Sequence, residues 1–286
     1  MAGFYTAALS KSQALHWPGL SPPSTAYCCS TLLANAFEQP GFSYPLKEPV
    51  LLNDLVGWRH RGARPEQVGA RLDDALALLA RPFEEGERCV IKPSNVVNGL
   101  AAAMMRLRPN ARALLLYAPL RIYLGSIASK GLWGRLWVRD LFLKQRLDNL
   151  PGFGFSEQDC FLQTDLQIAA MGWLEQHRLF HDMARLWPDR IRTIDSETLL
   201  ESPQRSLRAL DDLYGIDRSD EQRAATATRV FSHHGKSGEA FDASQRRKAQ
   251  DQARGAYADE IDKVAIWAEA VATGAGISMT LPSALI

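Results

Sequence analysis

Two cysteines, Cys28 and Cys29, stand ahead of Ser30 and Thr31, and the run continues through Leu32 into an apolar stretch, LLANAF. Small residues and two hydroxyls at the head of a helix suit an anion. The first backbone N–H groups of a helix lack intrahelical partners, and they carry the positive end of its dipole. The same residues also suit a buried helix start with the cysteines as small core filler. No GxxxxGK[ST] occurs, so the lysine and glycines that wrap a nucleoside triphosphate are missing, and no GxGxxG follows a strand. His177 and His181 lie one helical turn apart in HRLFH, but the glutamate and third ligand of a zinc protease are absent. The four cysteines show no CxxC pairing, which argues against structural zinc.

The elements that would position these residues alternate in type. Three prolines in WPGLSPPSTA exclude a helix before Tyr27, and STLLANAF starts one near Ser30, giving strand, turn, helix. A polar helix over 65–80 precedes a β-type run, ERCVIK. An alanine-rich helix closed by Pro109 follows, then ARALLLYAP, which has the length and continuity of a buried parallel strand. Another helix begins near Leu120. DRIRTID alternates as a strand, and SPQRSLRALDDLYGI reads as a capped amphipathic helix ending at Gly215. This order predicts an α/β fold, a parallel sheet flanked by helices, within a single domain over 1–286. Residues 132–187, rich in tryptophan and helical in spacing, read as a helical layer or lid.

Composition narrows the partners. The 286 residues are 46% hydrophobic, enough for a sizeable core, and 33 basic residues balance 32 acidic ones. No overall field steers the chain to nucleic acid or anionic membrane, so any anion site must be local. No signal peptide or membrane-spanning stretch is evident, and the expectation is a soluble, cytoplasmic, reduced protein.

From about residue 26 to residue 270 the chain resembles the sulfotransferase superfamily, which moves a sulfuryl group from 3'-phosphoadenosine-5'-phosphosulfate (PAPS) to a hydroxyl or amine. CCSTLL is similar to the family's phosphosulfate loop. The run from VIKPSNVVN to SIASKG is similar to the lysine-bearing strand, helix and following strand that lead to the 3'-phosphate site. IDSETLLESPQRSLRALDDLYGI resembles the family's late segment.

The resemblance implies a P-loop-like sheet of sulfotransferase type, PAPS as donor, no metal, and direct in-line transfer. It places Cys28, Cys29, Ser30, Thr31 and Leu32 around the phosphosulfate, and Ser126 at the helix holding the 3'-phosphate. An arginine expected two residues before Pro119 is Tyr117, with Arg121 as the replacement charge, and Gly125 stands where the serine is usual. One branch of the family places a glutamate about twenty residues after the loop, where this chain has Glu48. Glu48 is then the base, with Lys47 or Lys92 as balancing cation. His234 and Lys236, in the polar loop at 231–247, would donate to phosphate.

Plainer readings stand beside these roles: Glu48 as a solvated carboxylate, Lys92 as a strand-end lysine, the late loop as a solvated loop, and the tryptophans as packing. Acceptors from saccharides and lipids to small phenols and peptide tyrosines fit equally, and oligomeric state is not encoded in any motif. Tyr117 and the absent loop glycines also allow a sulfotransferase-like binding module without PAPS chemistry, recognising a peptide, a carrier or a partner protein; a third reading, an atypical phosphotransferase, would need Mg²⁺ and ATP, and the missing P-loop lysine argues against it.

Overall fold

The computed structural model describes residues 3–5, 29–148, 153–231 and 243–286, with side chains for all of these except 3–5 and 243–254. Among them run five short strands: β1 (Gly3–Tyr5), β2 (Ser43–Lys47), β3 (Arg88–Lys92), β4 (Ala113–Tyr117) and β5 (Ile191–Asp195). β2 pairs in parallel with β3, from Ser43 opposite Arg88 to Lys47 opposite Lys92. β4 pairs in parallel with β5, from Ala113 opposite Ile191 to Tyr117 opposite Asp195. β1 is antiparallel to β4 and also lies beside β3. The C-terminal tail extends the other edge, where the Thr193 N–H donates to Ser283 and Leu285 donates back to Thr193, both at 2.9 Å.

Three strands stand where the sequence predicts them, β3 in ERCVIK, β4 in ARALLLYAP and β5 in DRIRTID. β2 does not announce itself, because Pro45 sits at its centre. On the outer strand of a two-stranded ladder the missing N–H costs nothing.

Helices cover both faces of these strands. α1 (Ser30–Asn35), α2 (Val50–His60), α3 (Pro65–Leu79) and α4 (Ala101–Leu107) come first, with a 3₁₀ segment at Asn95–Leu100 ahead of α4. α5 (Leu120–Ala128), α6 (Gly131–Leu147), α7 (Glu157–Leu162) and α8 (Asp165–Leu186) follow β4. α9 (Ser196–Glu201), α10 (Pro203–Tyr214), α11 (Asp220–Phe231) and α12 (Ala243–Gly274), bent at Tyr257, complete the chain.

Strand alternation divides the core. Leu114 and Leu116 of β4 join α1, α5, α10, α12 and the first half of α8 in one cluster. Ala113 and Leu115 join α2, α3, α4 and the last turns of α8 in the other. Each fully buried leucine contributes roughly 1.5–3 kcal/mol, so the two clusters account for an α/β arrangement of helices on small, chiefly parallel sheets.

Local signals explain the helix ends nearest the site. α10 starts with Pro203 in its first turn and ends at Gly215, whose φ of 65° lies in the left-handed region that glycine enters freely. The Ile216 N–H then donates to the Asp211 carbonyl at 2.9 Å, closing a Schellman turn. Of the stretch expected as a layer or lid, α8 is a core helix with Leu166, Ala170, Leu174 and Phe180 fully buried, whereas α6 keeps an outer face in solvent.

Candidate functional site

The carboxyl ends of parallel strands are where α/β proteins hold ligands, because the strands deliver their last side chains to one edge and helices begin there. At the β2–β3 end the register places Lys47 opposite Lys92, and Glu48 follows directly. The Glu48 N–H donates to the Lys92 carbonyl at 2.6 Å, extending the ladder by one rung. Its side chain then turns onto the Lys92 ammonium as an ion pair. The Lys92 side chain is 7% exposed and that of Glu48 49%, so a buried cation is met by a half-open carboxylate. Lys47 faces outward and reaches Glu38 at 3.4 Å.

Glu48 has φ 51°, a left-handed conformation, immediately before Pro49, whose ring favours an extended predecessor. Such an outlier persists only where its surroundings impose it. Here the extra rung to Lys92, the ion pair and the start of α2 impose it together. Beyond the pair, the Ser94 hydroxyl donates to Asn53 Oδ1 at 2.5 Å, so it is already engaged with α2.

α1 packs against β2 and β3. It starts at Ser30, as expected, with its neighbour Cys29 as the cap residue: Cys29 takes φ 59°, its carbonyl accepts from the Leu33 N–H at 2.9 Å, and its side chain makes no capping hydrogen bond. Cys29 and Leu32 are buried, while Ser30 and Thr31 are partly exposed. Cys28, His234 and Lys236 lie outside the described residues, as does the strand expected before Cys28.

α1 is held from behind by a pair that the motifs do not reveal. Arg218 is buried, its Nε donates to both oxygens of buried Asp211 at 3.0 Å, and its Nη1 donates to the Ala36 carbonyl at 2.9 Å. The guanidinium also lies over the Phe37 ring, 5.5 Å from its centroid. Asp211 comes from α10, so the amphipathic helix read from the sequence ties the end of α1 to the core.

The β4 end is built differently. The Tyr117 hydroxyl is pushed up to about 12 by burial and by Asp195 opposite it. Asp195 is itself committed, accepting from the Glu197 and Thr198 N–H groups at 2.9 Å as the cap of α9. The Tyr117 ring meets His177 edge-on at 5.3 Å, His177 stacks on Trp173 at 4.2 Å, and the Trp173 indole N–H donates to the Ala118 carbonyl at 2.9 Å. Arg121 pairs with Asp262 and lies 3.7 Å from Glu269. The Ser126 hydroxyl donates to the Ile122 carbonyl of its own helix at 2.9 Å. All three residues expected on the 3' side are therefore engaged within the protein.

Neither a family model nor a curated protein nor a solved structure matches this chain. Function must be argued from the residues.

A buried polar junction between the 3₁₀ segment, α6 and α8 escapes sequence reasoning. Asp148, at the end of α6, accepts from Arg59 and lies 2.5 Å from His60 Nε2. It fits because a Cβ on Gly99 would come within 2.0 Å of its carboxylate. Gln145 likewise fills the space above Gly172, where a Cβ would come within 2.8 Å of its carboxamide oxygen. Glu175 and Gln145 are buried with no hydrogen-bond partner for either end of the side chain. Burial raises the Glu175 carboxyl to about 8, Asp148 adding to the rise and Arg146 opposing it. His177 is driven down to about 4 by burial, His181 adding to the fall and the Met279 backbone opposing it.

Among the described residues no three His, Cys, Asp or Glu side chains converge as metal ligands, and no helix is long and apolar enough to cross a membrane. An open cleft of about 660 Å³ between α10 and α11, lined by Ser202, Gln204, Arg205 and Phe231, contains none of the predicted site residues.

Proposed function

We propose that the chain is a PAPS-dependent sulfotransferase of the P-loop-like α/β type, acting on a hydroxyl or amine acceptor by direct in-line transfer. The observation that supports this reading most is the meeting of Glu48 and Lys92 at the carboxyl ends of adjacent parallel strands, with α1 packed against both. PAPS would supply the electrophilic sulfur. Glu48 takes the acceptor proton as the new bond to sulfur forms, and Lys92 holds that carboxylate in place. Lys47, one residue earlier, adds positive charge at the same edge, where the departing bisphosphate gathers negative charge as its bond to sulfur breaks. Cys29, Ser30, Thr31 and Leu32 line the 5' side, and His234 and Lys236 complete the phosphate contacts in this reading.

A second reading has one specific observation behind it. Arg121 and Ser126 are both satisfied internally, and the Tyr117 ring packs edge-on against His177. That arrangement favours a sulfotransferase-like binding module in which PAPS chemistry has been lost.

Glu48→Gln separates the two. Under the first reading it lowers sulfuryl transfer at least about 100-fold, the ordinary contribution of a general base, while adenosine 3',5'-bisphosphate still binds by calorimetry. Unchanged turnover removes Glu48 from the mechanism. Absence of any saturable heat with the wild-type chain leaves the binding-module reading.

A further inference from the structure

α6 presents a row of exposed apolar side chains that nothing in the proposed chemistry uses. Leu132 is 71% exposed, Leu136 54%, Leu143 65% and Leu147 58%. At 100° per residue these four fall within about 60° of arc, so they form one straight stripe along a helix about 25 Å long. Trp133, also exposed, borders it.

The stripe has an internal two-fold pattern. Leu132 and Leu147 are equidistant from the point midway between residues 139 and 140, and so are Leu136 and Leu143. At the centre itself stand Arg139 and Asp140, opposite in charge. A second α6 laid antiparallel across that point would set each leucine against its symmetry mate and Arg139 against the partner's Asp140. A closed two-fold contact requires this self-complementarity, in which residue i meets j and j meets i.

The central charges have capacity for the exchange. Asp140 pairs with Lys144 at 2.6 Å, and Arg139 pairs with Asp165 and donates to the Gln163 carbonyl at 2.8 Å. A carboxylate accepts about four hydrogen bonds and a guanidinium offers five donors, so each can add a partner. The same centre argues against a lipid surface as the occupant, because Asp140, its side chain 60% exposed, would be driven into the apolar layer.

We propose that α6 is the interface of a symmetric homodimer of this chain, packed antiparallel through Leu132, Leu136, Leu143 and Leu147 about the Arg139–Asp140 centre. One helix pair lies at the small end of specific interfaces, about 1,200 Å² or less in total, so the dimer dissociates on dilution. The inference rests on the geometry of α6 and is independent of any sulfuryl chemistry.

Sedimentation velocity on the full chain across a dilution series tests it. The wild type should pass from dimer to monomer on dilution. Leu136→Glu combined with Leu143→Glu should stay monomeric at every concentration, with the thermal midpoint of the diluted, monomeric wild type. Register is checked by cross-linking: Leu136→Cys with Leu143→Cys should give an intermolecular 136–143 disulfide by peptide mass spectrometry, and Leu132→Cys with Leu136→Cys should give none between those two positions. A wild type monomeric at all concentrations overturns the proposal, as does a dimer indifferent to the two glutamates. Flotation of a monomeric wild type with anionic vesicles, lost in the glutamate variant, overturns it in favour of a membrane occupant.

Discussion

The two strand ends invite comparison because the same architecture treats charge in opposite ways at each. Where β2 and β3 finish, a buried ammonium is answered by a half-open carboxylate on a strained residue, and Lys47 points to solvent. Where β4 finishes, a half-buried phenol, a stacked imidazole and a helix-capping aspartate enclose one another, and Arg121 is held by α12. At the first edge the carboxylate that a ligand must reach is already half open to solvent. At the second the ligand must first displace contacts that the fold has already made.

Four measurements break or sharpen this contrast. Asp211→Ala should have the largest effect. It strips the counter-ion from buried Arg218, which anchors the end of α1 behind the open edge, and should cost about 3–5 kcal/mol of stability in urea unfolding. A loss under about 1 kcal/mol, the range of surface ion pairs, would mean that α1 does not depend on that anchor.

The buried polar groups of α8, one of which stacks at the enclosed edge, should betray themselves through pH. Glu175, raised from 4.5 to about 8, stabilises fully below its unfolded value and loses that contribution as pH rises through 8. His177, lowered from 6.5 to about 4, contributes stability above 6.5 that is lost as pH falls through 4. The two oppose each other between about 4.5 and 6.5, and only Glu175 acts from about 6.5 to 8. Stability should therefore fall over that upper window at up to about 1.4 kcal/mol per pH unit, and Glu175→Gln should flatten the fall. A wild-type profile level from pH 6.5 to 8 would show that the carboxyl reaches solvent or a partner.

Arg121 gives a smaller and more pointed test. Asp262→Asn with Glu269→Gln releases it, and adenosine 3',5'-bisphosphate should then bind about tenfold more tightly by calorimetry, roughly 1.4 kcal/mol. No change would separate Arg121 from the phosphate site. Smallest of all, Lys47→Ala should move the thermal midpoint by no more than a surface pair is worth, within about 1 kcal/mol, and any effect should appear in turnover instead.

What the sequence made legible follows from which signals are local. β3, β4 and β5 declare themselves through apolar runs, and α10 through Pro203 and Gly215, because each is decided by neighbours along the chain. β2 is hidden by Pro45, whose tolerance depends on being at a sheet edge. The polar junction is hidden for a different reason. Glu175, Gln176 and His177 are three consecutive polar residues, all buried. α8 is enclosed nearly all round there, so no helical period can separate an inner from an outer face. Arg218 and Asp211 are seven residues apart and look like solvated charges until α1 closes over them.

α8 carries a consequence for how the molecule comes apart. It is 22 residues long, about 33 Å, and its first half is buried in one core cluster while Phe180, Met183 and Ala184 are buried in the other. A rod shared by both clusters cannot lose its packing at one end without loosening the other. Heating should therefore melt both core clusters in one cooperative step, with tryptophan fluorescence and far-ultraviolet dichroism tracing the same curve.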